Sequence, residues 1–504
     1  MSDLRRRALG GGKTPSKRAS LSKAGSKSTS KAGSKANSTA ASRHGTDDEG
    51  AYDSDGSVWR YVPAAVNTAV TSIPPEIQDF GPEADDDDYP FDSFGSLGDE
   101  LRNLEDVPQT SSWQEELRDR IVRITDKDMR KKLAVGGLEE ALLAYNRLLQ
   151  SKFTGSELEG KTASIIDALS KSIKNGKTDK ETTLACQALV LTLITDESCT
   201  TFGDFNNSLQ RLITDHESLV VKTAAIHALG ALVFFTDVSS EDSETIMDFF
   251  HEIVENDGHG IGAGDDPTTV AAAIEEWGLL LTTLDDAEDA TDRSAEAFVD
   301  QLESTEIEVQ VASGEVIALM IEKAHREPTS EDEDSEDDHA GLDEDFRERF
   351  VITAPEDSRP PIQKYTVYRN QPHLKQVLTS LSKSSTKSVS KKNRRTQHAT
   401  FANVLHTVNY PLHGPNYSRA LDFEGREQGS RLEVKVGRKG IVKLNTWWKL
   451  IRWNALRRFL GGGILVHWQE NPVIFQSLPL IMDAAPTNHK KTSGRVDRML
   501  NPYD

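Results

Sequence analysis

Cysteine is scarce in this chain of 504 residues, which contains only Cys186 and Cys199. Two cysteines cannot supply a disulfide framework or a zinc cluster, and such usage is typical of a reducing compartment. Because Cys186 lies in an apolar helical pattern, we expect it in the core. No apolar run approaches the ~18 residues of a membrane helix, and the N-terminus lacks the apolar segment of a secretory signal. We therefore expect no membrane partner and a cytoplasmic protein, with the nucleus as a further location.

Sequence signatures of catalysis are also missing. His251 and Glu252 begin like the zinc-protease motif HExxH, but Glu255 occupies the position of the second histidine. The alternating glycines of 258–264 resemble a phosphate loop, yet no strand precedes them and no Gly-Lys-Ser/Thr follows, which favours a flexible loop between helices. His227 lies on an Ala/Leu-rich helix and is expected as a core or groove histidine. We predict a protein that is not an enzyme, without cofactor, metal or small-molecule substrate.

Charge is distributed unevenly along the chain. The net charge at pH 7 is -22, yet residues 371–460 hold 18 Lys/Arg against 4 Asp/Glu, a local net of +14. Residues 1–45 add a net of +10, which leaves -46 for residues 46–370. Phosphate neutralisation by Lys and Arg dominates nucleic-acid affinity, and it acts locally. The pattern therefore predicts a polyanion partner for the basic segments.

Composition divides the chain into five segments. Residues 1–110 lack periodicity and change from Lys/Ser-rich to acidic, which predicts a disordered tail. Its stretch 13–43 resembles a transit peptide in composition, an alternative that the near absence of large apolar residues disfavours. The segments that follow are predicted to be a helical repeat domain (111–326), an acidic then basic linker (327–396), a small α+β domain (397–482) and a flexible tail (483–504).

Internal similarity defines the repeat domain. Four stretches around Leu189, Leu229, Leu279 and Leu319 share a leucine-rich helical pattern with many small residues. The first two leucines are 40 residues apart, and so are the last two. A period near 40 with two helices per unit is typical of HEAT and armadillo repeats. We therefore predict a mainly α fold with a HEAT/armadillo-like α-solenoid, whose surface is available to protein partners.

The C-terminal domain is predicted from a different pattern. An amphipathic helix is expected at 398–410, and strands are expected at 420–423 and 431–436. Asn445 or Thr446 can cap a helix that ends at Leu460 before a glycine, and Asn471-Pro472 is typical of the start of a short helix. These elements predict a small basic α+β domain after the solenoid.

The helix 446–460 has two distinct faces. Trp448, Ile451, Ala455 and Phe459 follow helical spacing and are expected to face the core. The other face places Trp453 between cations, an arrangement suited to stacking on a nucleic-acid base. The alternative is that Trp453 packs inside the protein while the cations extend along its surface. The predicted RNA-binding residues are Lys387, Lys391, Lys392, Arg394, Arg395, Arg438, Lys439, Lys443, Lys449, Arg452, Trp453, Arg457 and Arg458.

The basic segment 383–395 allows three interpretations. The first is a nuclear-localisation stretch, the second is an RNA-contacting arm that orders on binding, and the third is a solvated linker without a partner.

Two C-terminal segments resemble a known family. Thr400-Phe-Ala-Asn-Val-Leu-His-Thr-Val is similar to the helix opening of the interferon-related developmental regulator family. The segment Arg457-Arg-Phe-Leu-Gly-Gly-Gly-Ile-Leu-Val-His-Trp-Gln-Glu-Asn is similar to another of its motifs. The tail after this segment has fewer Lys/Arg than in animal members, and the chain resembles a fungal-type member. The residues of the family motifs are Phe401, Leu405, Leu460, Gly461, Gly463, His467, Gln469 and Asn471.

The resemblance implies an armadillo-type domain followed by a family-specific C-terminal domain. It also implies two non-enzymatic activities, namely binding to ribosomes that are not translating and co-regulation of transcription through protein partners. Our main hypothesis is a regulator of translation that associates with the ribosome, with the solenoid as a scaffold and the basic C-terminal domain on ribosomal RNA. The alternative is a nuclear transcriptional co-regulator that acts as a protein-binding scaffold.

Overall fold

The computed structural model describes residues 112–133, 135–196, 202–236, 238–264, 266–328, 360–383, 391–421, 427–436, 440–479 and 482–484. All of them belong to one compact unit, Gly56–Asp504. The tail predicted at 1–110, most of the acidic linker, Cys199 and the tail predicted at 483–504, apart from its first two residues, lie outside the described residues. The boundaries of the five segments stay predictions.

The described elements from Trp113 to Ala324 are helices joined by short loops. These helices are α1 (Trp113–Thr125), α2 (Lys127–Lys132), α3 (Val135–Ser151), α4 (Gly155–Leu158), α5 (Thr162–Asn175), α6 (Asp179–Thr195), α7 (Phe202–Asp215), α8 (Leu219–Phe235), α9 (Ser240–Glu255), α10 (Pro267–Leu281), α11 (Glu288–Gln301) and α12 (Ile307–Ala324).

These helices form an α-solenoid. Within the described residues they pair as α1 with α3, α5 with α6, α7 with α8, α9 with α10, and α11 with α12. The second members α3, α6, α8, α10 and α12 contact one another in chain order and form an inner row. The four similar stretches of the sequence are helices α6, α8, α10 and α12 of that row. The structure confirms the predicted fold class, a mainly helical solenoid followed by a part that contains small sheets.

Inner and outer helices differ in how much of their surface is apolar. Outer helix α7 buries one face, formed by Phe205, Leu209 and Ile213. Inner helix α8 is buried along its whole length from Val221 to Val233, and Cys186 on α6 is fully buried, as predicted. A helix that is apolar on all sides needs cover on all sides. The outer helices cover one side of the inner row, so the other side requires a second layer.

Local signals set the helix boundaries. Thr178 and Ser239 accept backbone N–H bonds at the starts of α6 and α9, and Asp266 does so for α10 ahead of Pro267. The alternating glycines join α9 to α10, as predicted, through a short 3-10 turn flanked by Gly258 (φ 73°) and Gly262 (φ 70°). These backbone conformations favour glycine, so Gly258 and Gly262 have a structural reason.

A buried lysine joins this turn to the preceding repeat. Lys222 on α8 is 2% exposed, and its Nζ donates to the carbonyls of Ile213 (2.6 Å), Thr214 (3.0 Å) and Ile261 (2.7 Å). Burial lowers the pKa of Lys222. The ammonium supplies the hydrogen bonds that carbonyls at the end of α7 and in the turn would otherwise lack.

We expect Lys222→Met to destabilise the protein by about 3 kcal/mol, because it leaves three carbonyls without their charged donor. Urea unfolding at pH 7 measures the change. The matched control is Lys174→Met, because Lys174 is exposed on α5. Equal stability of the two variants would contradict this role for Lys222.

The C-terminal part combines helices with short strands. Its elements are β1 (His325–Arg326), β2 (Ile362–Gln363), α13 (Gln371–Lys383), α14 (Lys391–Asn409), β3 (Tyr417–Leu421), β4 (Glu427–Ser430), β5 (Glu433–Val436), β6 (Gly440–Lys443), α15 (Trp447–Leu460), α16 (Ile464–Glu470), α17 (Pro472–Ser477) and β7 (Met482–Ala484). Strand β1 pairs with β2, β3 pairs with β4, and β5, β6 and β7 form a three-stranded antiparallel sheet.

Most of the predicted C-terminal elements are present. Helix α14 covers the predicted helix up to Asn409 and begins earlier, and α15 ends at Leu460 as predicted. Asn471 accepts from the Val473 N–H (3.0 Å) at the start of α17. The two predicted strands correspond to β3 and β5, whereas β4, β6 and β7 were not predicted. None of the helices in the described residues has the length and apolar character needed to cross a membrane.

Candidate functional site

The C-terminal helices cover the open side of the inner row. Helix α15 contacts α3, α6, α10 and α12, while α14 lies on α12, α16 on α3 and α17 on α6. We call this interface the seam: the contact between helices α14–α17 and the inner row. It provides the second layer of cover that the apolar inner helices require.

The solenoid supplies the N-terminal cap of α15. Both oxygens of the Glu322 carboxylate on α12 accept backbone N–H bonds, from Trp447 (2.6 Å) and Trp448 (3.2 Å). Thr446 occupies the N-cap position, as predicted, but its side chain makes no capping bond. A carboxylate at a helix N-terminus satisfies unpaired N–H groups and interacts favourably with the helix dipole. The expectation of a local side-chain cap is corrected, because a residue of the solenoid performs that role.

An ion cluster lies in the middle of the seam. Arg458 of α15 donates to the carboxylates of Glu275 and Glu276 on α10. Glu276 is fully buried, and its Oε1 is 2.7 Å from Nδ1 of His227 on α8. The same Nδ1 lies 2.9 Å from a guanidinium nitrogen of Arg458. Burial raises the pKa of Glu276 to about 7, against the opposing effect of Arg458. Burial also holds the pKa of His227 well below its usual value, so His227 is the satisfied groove histidine that the sequence predicts.

A second arginine joins three elements at one end of the seam. The guanidinium of Arg452 donates to the Thr282 hydroxyl (2.8 Å) and carbonyl (2.9 Å) at the end of α10, and to the Ser477 carbonyl (2.8 Å) of α17. It also lies 5.2 Å from the ring centroids of both Phe234 and Trp448. A planar guanidinium with five donors suits such a position, where backbone carbonyls and aromatic faces converge.

A further buried carboxylate has only a weak partner. Glu315 on α12 is 8% exposed, and its nearest hydrogen-bond donor is Asn454 Nδ2 of α15 at 3.5 Å. Burial raises the pKa of Glu315 to about 8, and the charge of Glu275 adds to this effect. Burial likewise raises the pKa of Glu322 to about 7. The seam therefore concentrates carboxyl groups that bind protons more tightly in the folded state than in the unfolded state.

This geometry predicts a pH dependence of stability. Where a folded-state pKa exceeds the unfolded value near 4.5, the folded protein binds the extra proton, so the stability that this carboxyl group contributes falls as pH rises. This contribution should be lost between about pH 4.5 and about pH 8, the upper of the raised values. Histidines with a lowered pKa, such as His227, act in the opposite direction below their ordinary pKa of 6.5, so the net decline is expected above that pH. We expect Glu315→Gln to increase stability at pH 8 by about 2 kcal/mol and to flatten this decline, because the amide has no charge to desolvate.

Urea unfolding between pH 5 and 8.5 measures the decline. The exposed Glu159 of the solenoid provides the control variant Glu159→Gln, which should follow the wild-type profile. A Glu315→Gln profile with the same slope as the wild type would contradict the assignment.

The family-motif residues lie mostly in the seam. His467 Nε2 donates to the Leu149 carbonyl (2.7 Å), and Asn471 Nδ2 donates to the Ile194 carbonyl (2.8 Å). A Cβ at Gly463 would lie 1.7 Å from the Gln150 carbonyl oxygen, so only glycine fits there. Of the other family-motif residues, Phe401 and Leu460 are buried and Leu405 is half-buried. Gly461 has a φ of +52°, and Gln469 is exposed.

The structure corrects the predicted exposed aromatic stripe. Trp453 is 4% exposed and forms part of the core, so it is not available for stacking on a base. Arg452 and Arg458 face the solenoid as described above. Lys449 donates to the Asn445 side chain (2.7 Å) and remains half-exposed, and Arg457 is half-buried. The alternative interpretation of helix 446–460, with Trp453 packed inside, is the one that the geometry supports.

The other predicted cations lie outside the seam or outside the described residues. Lys443 is exposed at the end of β6. The backbone of α14 begins at the basic segment, so Lys391, Lys392, Arg394 and Arg395 occupy its first turns. Lys387, Arg438 and Lys439 lie outside the described residues.

Sequence reasoning missed the acidic half of the seam. Glu276 and Glu315 are buried in inner helices whose other buried residues are mostly apolar. A carboxylate at such a position requires a cation or a proton, because an isolated buried charge is very costly. Two carboxylates at such positions therefore predict a basic partner for the inner row.

The fold and seam define a class of protein: an α-solenoid of armadillo type whose inner row is covered by its own C-terminal helices. Among the described residues, no three His, Cys, Asp or Glu side chains are grouped so as to hold a metal ion. The family model for interferon-related developmental regulators matches residues 93–409. The chain belongs to that family, which is a family of regulators.

Relatives extend the similarity over more of the chain. An uncharacterized protein of Schizosaccharomyces pombe is 28% identical over 404 residues, which cover 77% of this chain and 81% of the relative. Interferon-related developmental regulator 2 of Mus musculus is 25% identical, with 77% and 79% covered, and regulator 1 of Sus scrofa is 22% identical, with 81% of each covered.

Proposed function

We propose that this protein is a non-enzymatic regulator of translation that associates with the ribosome and contacts ribosomal RNA through its basic C-terminal part. The observation that carries the proposal is the position of the basic segment. Lys391, Lys392, Arg394 and Arg395 occupy the first turns of α14, and no acidic residue accompanies them.

Positive charge at a helix N-terminus opposes the helix dipole and costs about 0.3–1 kcal/mol for each cation. Four such cations therefore do not serve the stability of α14. A phosphate group, by contrast, interacts favourably with the cations and with a helix N-terminus. Of the three interpretations of this segment, the RNA-contacting one accounts best for its placement on a helix.

The seam weakens the alternative of a transcriptional co-regulator that binds partners in the solenoid groove. Helices α14–α17 cover the open side of the inner row. A protein partner would therefore have to bind the outer helices or displace the C-terminal part. The net charge of -22 over the solenoid residues 111–326 also disfavours direct RNA contact by the solenoid. The solenoid is proposed to dock on ribosomal protein, in the cytoplasm.

The seam also determines which experiment is suitable. Deleting residues 383–504 would uncover the apolar inner row, so loss of function could follow from misfolding. We define the four-cation variant as Lys391→Gln, Lys392→Gln, Arg394→Gln and Arg395→Gln, because glutamine preserves the helix. The control removes the same charge from exposed positions near the start of the solenoid: Arg118→Gln, Lys127→Gln, Lys131→Gln and Lys132→Gln.

Sedimentation of the purified chain with ribosomes through a sucrose gradient tests the proposal. We expect the wild type and the control to sediment with ribosomes and the four-cation variant to remain at the top. Equal co-sedimentation of both variants would show that the basic segment is not the contact. Association that survives RNase treatment, together with nuclear accumulation of a fluorescent fusion, would favour the co-regulator instead.

A further inference from the structure

Four aromatic rings meet where α14 ends and β3 begins. His406 lies on the last turn of α14, Tyr410 follows it, His413 lies in the connecting turn, and Tyr417 opens β3. The rings of His413 and Tyr417 are nearly parallel, with centroids 3.7 Å apart and planes at 6°. Tyr410 and His406 lie 5.2 Å and 5.1 Å from His413, with planes at 18° and 22°. We call these four residues the ring stack.

Hydrogen bonds hold the turn of the ring stack in place. Thr407 Oγ1 donates to the His413 carbonyl (2.9 Å) and accepts from Trp447 Nε1 (2.8 Å). A Cβ at Gly414 would lie 1.9 Å from the Asn445 carbonyl oxygen, so the turn is pressed against the start of α15. The rings are therefore ordered before any ligand binds, which lowers the entropy cost of binding.

The ring stack has neutral rings and one cation beside it. His406 Nε2 and His413 Nδ1 are 2.9 Å apart. Burial is the main cause that lowers the pKa of His406 to about 4 and that of His413 to about 3; Arg419 adds to both shifts, and His406 adds to that of His413. Both imidazoles are thus uncharged at neutral pH. The Arg419 side chain is exposed, and its guanidinium carbon lies 4.4 Å from the centroid of the Tyr410 ring.

A small local core is the simplest alternative explanation for four neighbouring rings. The core of this protein is built from fully buried Leu, Ala, Ile and Phe, whereas all four rings are half-buried. Two leucines of the same region, Leu412 (38%) and Leu421 (63%), are exposed rather than packed under the rings. The ring stack therefore belongs to the surface of the protein.

We propose that the ring stack and Arg419 form a binding site for unpaired RNA bases, in which a base stacks on the aromatic rings and Arg419 contacts the neighbouring phosphate. The inference deepens the proposed function and rests on it. Every nucleobase has a π face, so aromatic side chains beside a cation bind single strands with little sequence preference. Arg419 gives the site its positive charge, which favours a phosphate-bearing partner over an uncharged protein segment.

Fluorescence anisotropy with a labelled 12-nucleotide single-stranded RNA tests the site in the full chain. We expect Tyr417→Leu and Arg419→Gln each to weaken binding about 10-fold, the loss typical for one stacked base. The charge-matched control is Arg293→Gln on the acidic outer helix α11, where Arg293 pairs with Asp248 (3.1 Å). A duplex of the same sequence should bind Tyr417→Leu and wild type equally, because its bases are already paired and stacked.

Photo-crosslinking of the wild type to RNA that contains 4-thiouridine gives a second readout, which needs no variant. We expect cross-linked peptides from the ring-stack region, 406–419. Unchanged single-strand affinity of the folded variants, or cross-links found only elsewhere, would overturn the site while leaving ribosome association intact. If the wild-type protein does not sediment with ribosomes, the result contradicts the proposed function instead of the binding site. Ribosome binding that depends on Tyr417, without any affinity for the RNA oligomer, would mean that the ring stack contacts protein.

Discussion

Replacing Arg458 by methionine should lower the free energy of unfolding by about 3–5 kcal/mol, because the change leaves the buried Glu276 and its neighbour Glu275 without their cation. Methionine keeps most of the apolar stem, so the loss reports the charge rather than the packing. Urea unfolding at pH 7 measures it. The expected effect is large because Glu276 is fully buried and cannot be solvated by water.

Three further variants, Arg118→Met, Glu276→Gln and the double variant, isolate the cause. Arg118→Met removes an exposed arginine from α1 and should change stability by less than about 0.5 kcal/mol. Combining Arg458→Met with Glu276→Gln should recover part of the loss, since the amide has no charge to desolvate. If the double variant is as unstable as the sum of both single variants, the two residues do not interact and the ion cluster is not what joins α15 to the solenoid.

Binding to ribosomes should depend steeply on salt, and the basic segment should set that dependence. If Lys391, Lys392, Arg394 and Arg395 each neutralise one phosphate, the slope of log affinity against log salt should fall by about four in the four-cation variant. These four contacts then account for a loss of about two powers of ten in affinity between ~50 and ~200 mM salt.

Affinity for purified ribosomes, measured at salt concentrations from 50 to 300 mM, provides these slopes. The control with four glutamines near the start of the solenoid should retain the wild-type slope. Binding that does not respond to salt would indicate an uncharged protein contact through the outer helices.

The repeat architecture was predictable because it depends on local sequence. Spacing of leucines and small residues defines the inner helices, and Asn471-Pro472 and Gly461 mark helix ends through their own backbone chemistry. Each of these signals acts within a few residues along the chain. The helical solenoid and most C-terminal elements therefore follow from pattern alone.

The seam was not predicted, because it joins residues that are far apart in sequence. Whether Trp453 is exposed depends on α10 and α12, which lie more than a hundred residues earlier. A partial signal was present nonetheless: α15 buries Leu450, Trp453 and Leu456 besides its expected core face. A helix with apolar residues on every side predicts cover on every side, as it did for the inner row.

The family motifs acquire a structural reason from the same interface. Gly463, His467 and Asn471 lie against backbone carbonyls of α3 and α6. The residues predicted as family motifs in this segment thus serve the docking of the C-terminal helices. They do not by themselves identify residues that contact RNA, which are expected among the exposed cations.

Comparing two variants in one ribosome co-sedimentation experiment tests the central claim most directly. Trp453→Leu removes the buried indole, and the four-cation variant removes charge from the start of α14. We expect a folded Trp453→Leu protein to sediment with ribosomes like the wild type, and the four-cation variant not to do so. Loss of association by Trp453→Leu, with full association of the four-cation variant, would contradict the central claim.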